Sequence, residues 1–388
     1  VTLDRAFWTK FRRRYWERRG LVLQRPLAKP DEAFRWLVEA GERFRAGDRS
    51  VAPEFFVEHT QVLADVARYV PRTRDRSMAG YADRVTRRLD GRRFGLVIDD
   101  FQAQAPELWL RLRDFLRPLY AVTGLPGSHV KATLFLGNYR STPFGLHRGR
   151  SGNFMFVVHG RKHIRAWPDR FFRGKEDLTN RLDYGRYNRS SILMSANPGD
   201  VIYWPSDYWH IGEDAGGLSV AISVALFMEP DLAADLARHV ETALETRLNG
   251  QRRHVAALRE LRAVGRSREL EQSLGAAHLN HLTGYGFARV PAPLPTCRLK
   301  ATTVVRGSSA DPIRLLSSAD AELVCSANGH AFAVTARGRI PDLLDRLNSG
   351  EPARVGDLIA DYSGRPVSRA SIRAVLEKLH SLRALSSQ

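Results

Sequence analysis

Between Arg93 and Phe227 the hydrophobic pattern of this chain shifts from a helical to a strand period, and that shift constrains the fold more than any other feature. The segments FGLVIDDF, HVKATLFLGNY, NFMFVV, RKHIRAWP, SILMSA, VIYWP and LSVAISVALF are short and rich in β-branched and aromatic residues, with His-Gly, Asn-Pro-Gly-Asp and similar turn residues between them. Successive side chains on a strand point to opposite faces, so short alternating runs joined by tight turns predict an antiparallel sandwich or barrel. One long amphipathic helix, APELWLRLRDFLRPLYAVTG, interrupts the series and ends at Gly124.

The flanks have a helical period. In FWTKFRRRYWERRG, Phe7, Trp8, Phe11, Tyr15 and Trp16 share one face and the arginines point out. Basic residues among aromatics also suit nucleic acid, but an amphipathic helix docked on its own core is the preferred reading. LVLQRP predicts a short strand halted at Pro26; PDEAFRWLVEAGERFRAG predicts a helix with Asp31 and Glu32 near its start, and VLADVARYV another short helix. Beyond Phe227, DLAADLARHVETALETRLNGQRRHVAALRELRAV and RELEQSLGAAHLNHL predict a helical linker or dimerisation element, followed by a boundary at PAPLP. The last segment predicts three short strands, with a hairpin turn at Asn328-Gly329, and then three helices, the last capped by Ser368 or Ser371. That is a winged-helix pattern, which serves for docking as well as for DNA. The expected class is α+β, with a mainly helical region at 1–90, a β-rich domain at 91–229, the helical element at 230–290 and a winged-helix-like domain at 296–388.

A chain of 388 residues exceeds one ordinary core. No apolar run is long enough to span a bilayer, and the basic, amphipathic N-terminus does not have the pattern of a signal peptide, so a cytoplasmic protein with no membrane partner is expected. Cys297 and Cys325 fall in no metal or redox spacing and are expected to be free thiols. Lys and Arg number 60 against 42 Asp and Glu, a net charge of +18. That balance attracts anions, although arginine on solvated faces accounts for it equally well.

Three stretches carry the candidate chemistry: TPFGLHRGRSGNF around His147, the Asn153-to-Lys162 run, and PGDVIYWPSDYWH ending at His210. Together they resemble the JmjC-type, cupin-like 2-oxoglutarate oxygenases, including the asparaginyl hydroxylases. FRRRYWERRGLVLQRP and the order of the domains are similar to bacterial ribosomal-oxygenase-type proteins. The resemblance implies a double-stranded β-helix, or jelly roll, for the central domain, with Fe(II) and 2-oxoglutarate as cofactors. It makes His147 and His210 the metal ligands and Lys162 the anchor for the far carboxylate of 2-oxoglutarate. Asn153, Ser223, Thr142 and Tyr139 become its polar neighbours, while His159 and His163 match no ligand position and are read as structural. An ammonium facing a dianion is physically sensible, since each offsets the desolvation of the other.

The family places a carboxylate where this chain has Gly149. Three readings stay open. In the first, chloride fills the vacated position and the enzyme halogenates, as 2-oxoglutarate-dependent halogenases with Ala or Gly there do. In the second, water or another side chain fills it and the enzyme hydroxylates; Asp207 and Glu213 lie near His210 but not at a convincing spacing. In the third, the domain binds without catalysis. Retention of both histidines and Lys162 favours chemistry, with halogenation as the first expectation. Arg148 and Arg150 are read as solvated or as neutralising an anion at the site mouth. The expected substrate is a peptide, an amino acid or a carrier-bound group, for which acidic surroundings would suit the basic chain; nucleic acid is not the expected partner, and a homodimer is one of the two readings of the helical element at 230–290.

Overall fold

The computed structural model describes residues 3–174, 182–214, 216–230, 232–247, 268–317, 323–334 and 338–388. The chain divides into two compact units, Val1–Glu229 and Pro230–Gln388.

In the first unit, helix α1 (Arg5–Arg14) precedes strand β1 (Leu21–Gln24), helix α2 (Pro30–Arg45), strands β2 (Pro53–Val57) and β3 (Thr60–Val62), and helix α3 (Met78–Arg88). Strand β4 (Phe94–Ile98), the single turn α4 (Phe101–Gln104), helix α5 (Pro106–Thr123) and strand β5 (Val130–Gly137) follow. The remaining strands are β6 (Gly152–His159), β7 (Lys162–Pro168), β8 (Ile192–Ala196), β9 (Asp200–Trp204), β10 (Tyr208–Asp214) and β11 (Ser219–Leu226). They form an antiparallel eight-stranded sheet of order β1-β9-β6-β11-β5-β4-β2-β3 and a second sheet of order β10-β7-β8. Residues from both sheets pack together: Met155, Val157, Ile202 and Ala221 of the large sheet meet Ile164, Ala166 and Met194 of the small one. This is the mixed α/β fold with a large antiparallel sheet that a jelly roll requires.

All but the last residue of β6 are buried because both faces of the strand are covered. Asn153, Met155 and Val157 point between the sheets, and Phe154 and Phe156 point outward to the helices. There Trp8 meets Phe115 edge-on at 5.4 Å, and Phe11 meets Tyr203 at 4.9 Å. Helix α1 is therefore part of the main core. Asp4 caps it by accepting from the Phe7 N–H, and Arg12, Arg13 and Arg14 occupy its last turn, where cations suit the helix dipole. Trp8→Ala should cost about 3–5 kcal/mol in urea unfolding. A loss under ~1 kcal/mol would show that α1 is not part of that core.

The first ninety residues hold more strand than their sequence predicts. VLADVARYV is not a helix: Val62 ends β3, and Val66–Arg68 is a single 3-10 turn entered through Asp65 at φ 56. Pro71 blocks helical continuation, and Tyr69 stacks on Phe55 at 4.5 Å.

The second unit contains helices at Leu232–Arg247, Arg268–Thr283, Ile340–Asn348, Val355–Tyr362 and Arg369–Ser381, with two three-stranded antiparallel sheets. The predicted helix through 248–267 lies outside the described residues. Asn328 and Gly329, both at positive φ, turn the hairpin of strands Leu323–Ala327 and His330–Val334, and Ser368 caps the last helix by accepting from the Ser371 N–H. Among the described residues no helix is long and apolar enough to cross a membrane.

Candidate active site

His147 and His210 meet through the backbone. They form an isolated antiparallel bridge in which the His147 N–H donates to the His210 carbonyl at 3.2 Å and the His210 N–H donates back at 2.8 Å. Directly opposed residues of an antiparallel pair place their side chains on one face, so the two rings lie 4.4 Å apart. His147 Nδ1 lies 2.9 Å from the Gly145 carbonyl, and His210 Nδ1 lies 3.3 Å from that of Tyr208. Donation from Nδ1 to a carbonyl fixes the tautomer and leaves Nε2 as the ligand atom. Burial lowers the pKa of both imidazoles, and the nearby His147 adds to the effect at His210. Both rings are neutral at pH 7, with lone pairs available and no proton to displace.

The histidines line a cavity of about 160 Å³ between the sheets. Strand alternation brings Lys131, Thr133 and Phe135 to it from β5, Asn153 and Met155 from β6, and Ser223 and Ala225 from β11. Asn153 donates through Nδ2 to the Ser151 carbonyl at 2.6 Å, and the Ser223 hydroxyl donates to Asn153 Oδ1 at 3.3 Å. Thr142 is held opposite Gly212 by its N–H, which donates to the Gly212 carbonyl at 2.8 Å. Among the described residues its buried hydroxyl has no hydrogen-bond partner. Lys162, 1% exposed, donates from Nζ to Tyr139 Oη at 2.7 Å; both are buried, and neither is among the residues that line the cavity. Position 212 must be glycine for this packing, since a Cβ there would lie 2.9 Å from Thr142 Cγ2 and 3.6 Å from Lys162 Cε.

Gly149 lines the same cavity. A Cβ on it would sit 3.2 Å from Ser151 Oγ and 3.9 Å from His210 Cε1, so a side chain here would be directed towards the histidines. Among the described residues no cluster of three or more His, Cys, Asp or Glu could hold a metal. Glu213 is turned to the opposite face of β10, where it accepts from Arg165 Nε at 2.9 Å and from Tyr184 Oη at 2.8 Å. Asp207 lies in a separate cavity of about 490 Å³ with Arg148, Arg150 and Glu17. Neither arginine lines the histidine cavity, and Arg148 is paired with Asp169 and lies over the Trp209 ring. His159 ends β6 and His163 lies in β7, neither in the cavity wall.

Sequence reasoning did not single out Ser151, Trp204, Lys131 and Thr133. Trp204 is 4.9 Å from the His210 ring, and its buried indole N–H has no partner among the described residues. Lys131 and Thr133 both hold Asp99, at 2.8 and 2.7 Å. The period-two pattern of HVKATLFLGNY carried the signal for these last two, since it puts positions 131, 133 and 135 on one face.

The donor set fits a metal with an oxygen-rich co-substrate: two neutral imidazoles for the ion, and, for an anion, the Thr142 hydroxyl on the cavity wall with the buried Lys162 beside Gly212.

No protein-family model and no curated protein sequence matches the chain. Solved structures do match its fold over nearly its whole length. The X-ray structure of Escherichia coli ycfD aligns at a TM-score of 0.54 with 16% identity, covering 100% of this chain and 99% of that one. A structure of YcfD, a ribosomal oxygenase from Escherichia coli in complex with cobalt and succinic acid, aligns at 0.52 with 16% identity and 98% of each chain. At that identity the likeness is one of fold.

Proposed function

We propose that this protein is an Fe(II)- and 2-oxoglutarate-dependent oxidoreductase that hydroxylates an unactivated C–H bond of a peptide or protein. The paired neutral histidines on a cavity that also holds the unpartnered Thr142 hydroxyl carry this reading. YcfD, which has this fold, is described as a ribosomal oxygenase and binds cobalt and a dicarboxylic acid; this supports a protein substrate and that class of cofactor. With both cofactors bound, the site supplies O2-driven oxidation coupled to decarboxylation of the co-substrate. His147 and His210 hold the ion through Nε2, oriented by the Gly145 and Tyr208 carbonyls. Lys162, steadied by Tyr139, and Thr142 bind the far carboxylate. Asn153 and Ser223 brace one wall, and Trp204 packs against His210 and limits water there.

Halogenation is the second reading, and Gly149 favours it: the room beside His210 where the family has a carboxylate is suited to chloride. The winged-helix reading of 296–388, with its three helices, remains the proposal for a partner-docking module.

Succinate formation that requires Fe(II), O2 and a peptide or protein substrate tests the enzyme reading; metal binding without any turnover would retire it in favour of a binding protein. Lys162→Met keeps the aliphatic stem and removes the charge. It should weaken 2-oxoglutarate binding, read by calorimetry with Co(II) present, by about 10- to 100-fold, corresponding to the ~1.5–3 kcal/mol of a charge-assisted hydrogen bond. An unchanged affinity would remove Lys162 from the site.

A further inference from the structure

We infer that the solvent face of α1 is a binding surface for the phosphate backbone of a nucleic acid. Arg5, Lys10, Arg12, Arg13, Arg14 and Arg18 are all exposed. Among the described residues none of these six forms an ion pair. Elsewhere in the same unit, arginines are neutralised: Arg35 by Glu107, Arg111 by Glu32 and Arg84 by Asp75. Only two carboxylates fall between residues 3 and 20, and both are engaged. Asp4 caps the helix, and Glu17 accepts from Tyr203 Oη at 3.1 Å and from the Ser206 N–H at 3.1 Å.

The unpaired cations are also arranged. Arg5, Thr9, Arg12 and Arg13 follow the helical repeat along one face, and with Lys10 and Arg18 they line an open groove of about 890 Å³. The ten-residue helix is about 15 Å long, enough to follow several successive phosphates. Five of the six cations are arginines, whose planar fork pairs bidentately with phosphate oxygens.

A membrane would be the rival partner of a basic helix, but interfacial helices bury an apolar face in the lipid. Here that face is already used: Trp8 and Phe11 are 0% exposed and pack on Phe115, Phe154 and Tyr203. The surface therefore offers charge without a hydrophobic anchor, which suits a hydrated polyanion.

The test uses the full chain and a short fluorescein-labelled single-stranded RNA, read by anisotropy across a salt series from about 50 to 200 mM. Binding should weaken steeply with salt. The triple substitution Arg12→Gln, Arg13→Gln and Arg18→Gln should reduce affinity by ~10-fold or more and flatten the log–log salt slope by about 2, since each lost phosphate contact removes roughly 0.7. A matched triple on another exposed surface, Arg74→Gln, Arg87→Gln and Arg88→Gln, should leave affinity within about twofold. Circular dichroism confirms that both variants are folded. Three results would each overturn the proposal: no RNA binding at the lowest salt, equal weakening by both triples, or binding to phosphatidylserine vesicles but not to RNA.

Discussion

Replacement of His147 or His210 by alanine is expected to abolish metal binding, with Co(II) affinity falling by more than ~100-fold and the anaerobic Fe(II)/2-oxoglutarate charge-transfer absorption disappearing. Among the described residues the site has only these two imidazoles as metal donors and no clustered carboxylate, so loss of one leaves a single ligand. This exceeds the ~10–100-fold typical of losing an outer-shell partner. Co(II) spectra give a readout independent of turnover, and the fold should survive, because the His147–His210 bridge is made by backbone groups. Wild-type Co(II) affinity in either variant would move the metal elsewhere and sink the proposed function.

Gly149→Asp should have the next largest effect. Position 149 does not lie in the left-handed region, and the nearest obstacle to a new Cβ is a rotatable hydroxyl, Ser151 Oγ at 3.2 Å. The added carboxylate reaches towards His210 and would complete a two-histidine, one-carboxylate set. Metal affinity is expected to rise by ~10-fold or more, and any chloride dependence of the Fe(II)/2-oxoglutarate spectrum should vanish. If the wild-type enzyme halogenates, this variant should lose chlorine incorporation and retain at most hydroxylation. Unchanged metal affinity together with undiminished chloride sensitivity would show that position 149 does not face the ion.

The β-rich centre was legible because its strands alternate cleanly: β5 exposes Lys131, Thr133 and Phe135 to one side and Val130, Ala132 and Leu134 to the other. Strands β2 and β3 were not. Phe55 and Phe56 are both buried, one against Tyr69 and Phe94, the other against Phe144, so the period-two signal is absent. Apolar spacing suggested a helix at VLADVARYV, but Pro71 and the contact of Tyr69 with Phe55 decided otherwise. The role expected of Arg148 and Arg150 rested on adjacency to Gly149 along the chain. Alternation turns Arg148 to the face opposite His147, where it meets Asp169, and Arg150 stands in the left-handed region at φ 51.

Local sequence by itself determined the elements whose signals are local: strand period, the Asn328-Gly329 turn, a serine cap at Ser368 or Ser371, which the structure assigns to Ser368, and the aromatic face of α1. It also carried the identity of the candidate ligands through their motif. Tertiary structure alone decided that His147 and His210 stand opposite one another 4.4 Å apart, that Thr142 and Trp204 keep polar atoms beside them with no partner among the described residues, and that Glu213 is turned away. The reason is physical: residues separated by dozens of positions are brought together by strand register and sheet packing, and neither is written in any short stretch of the chain.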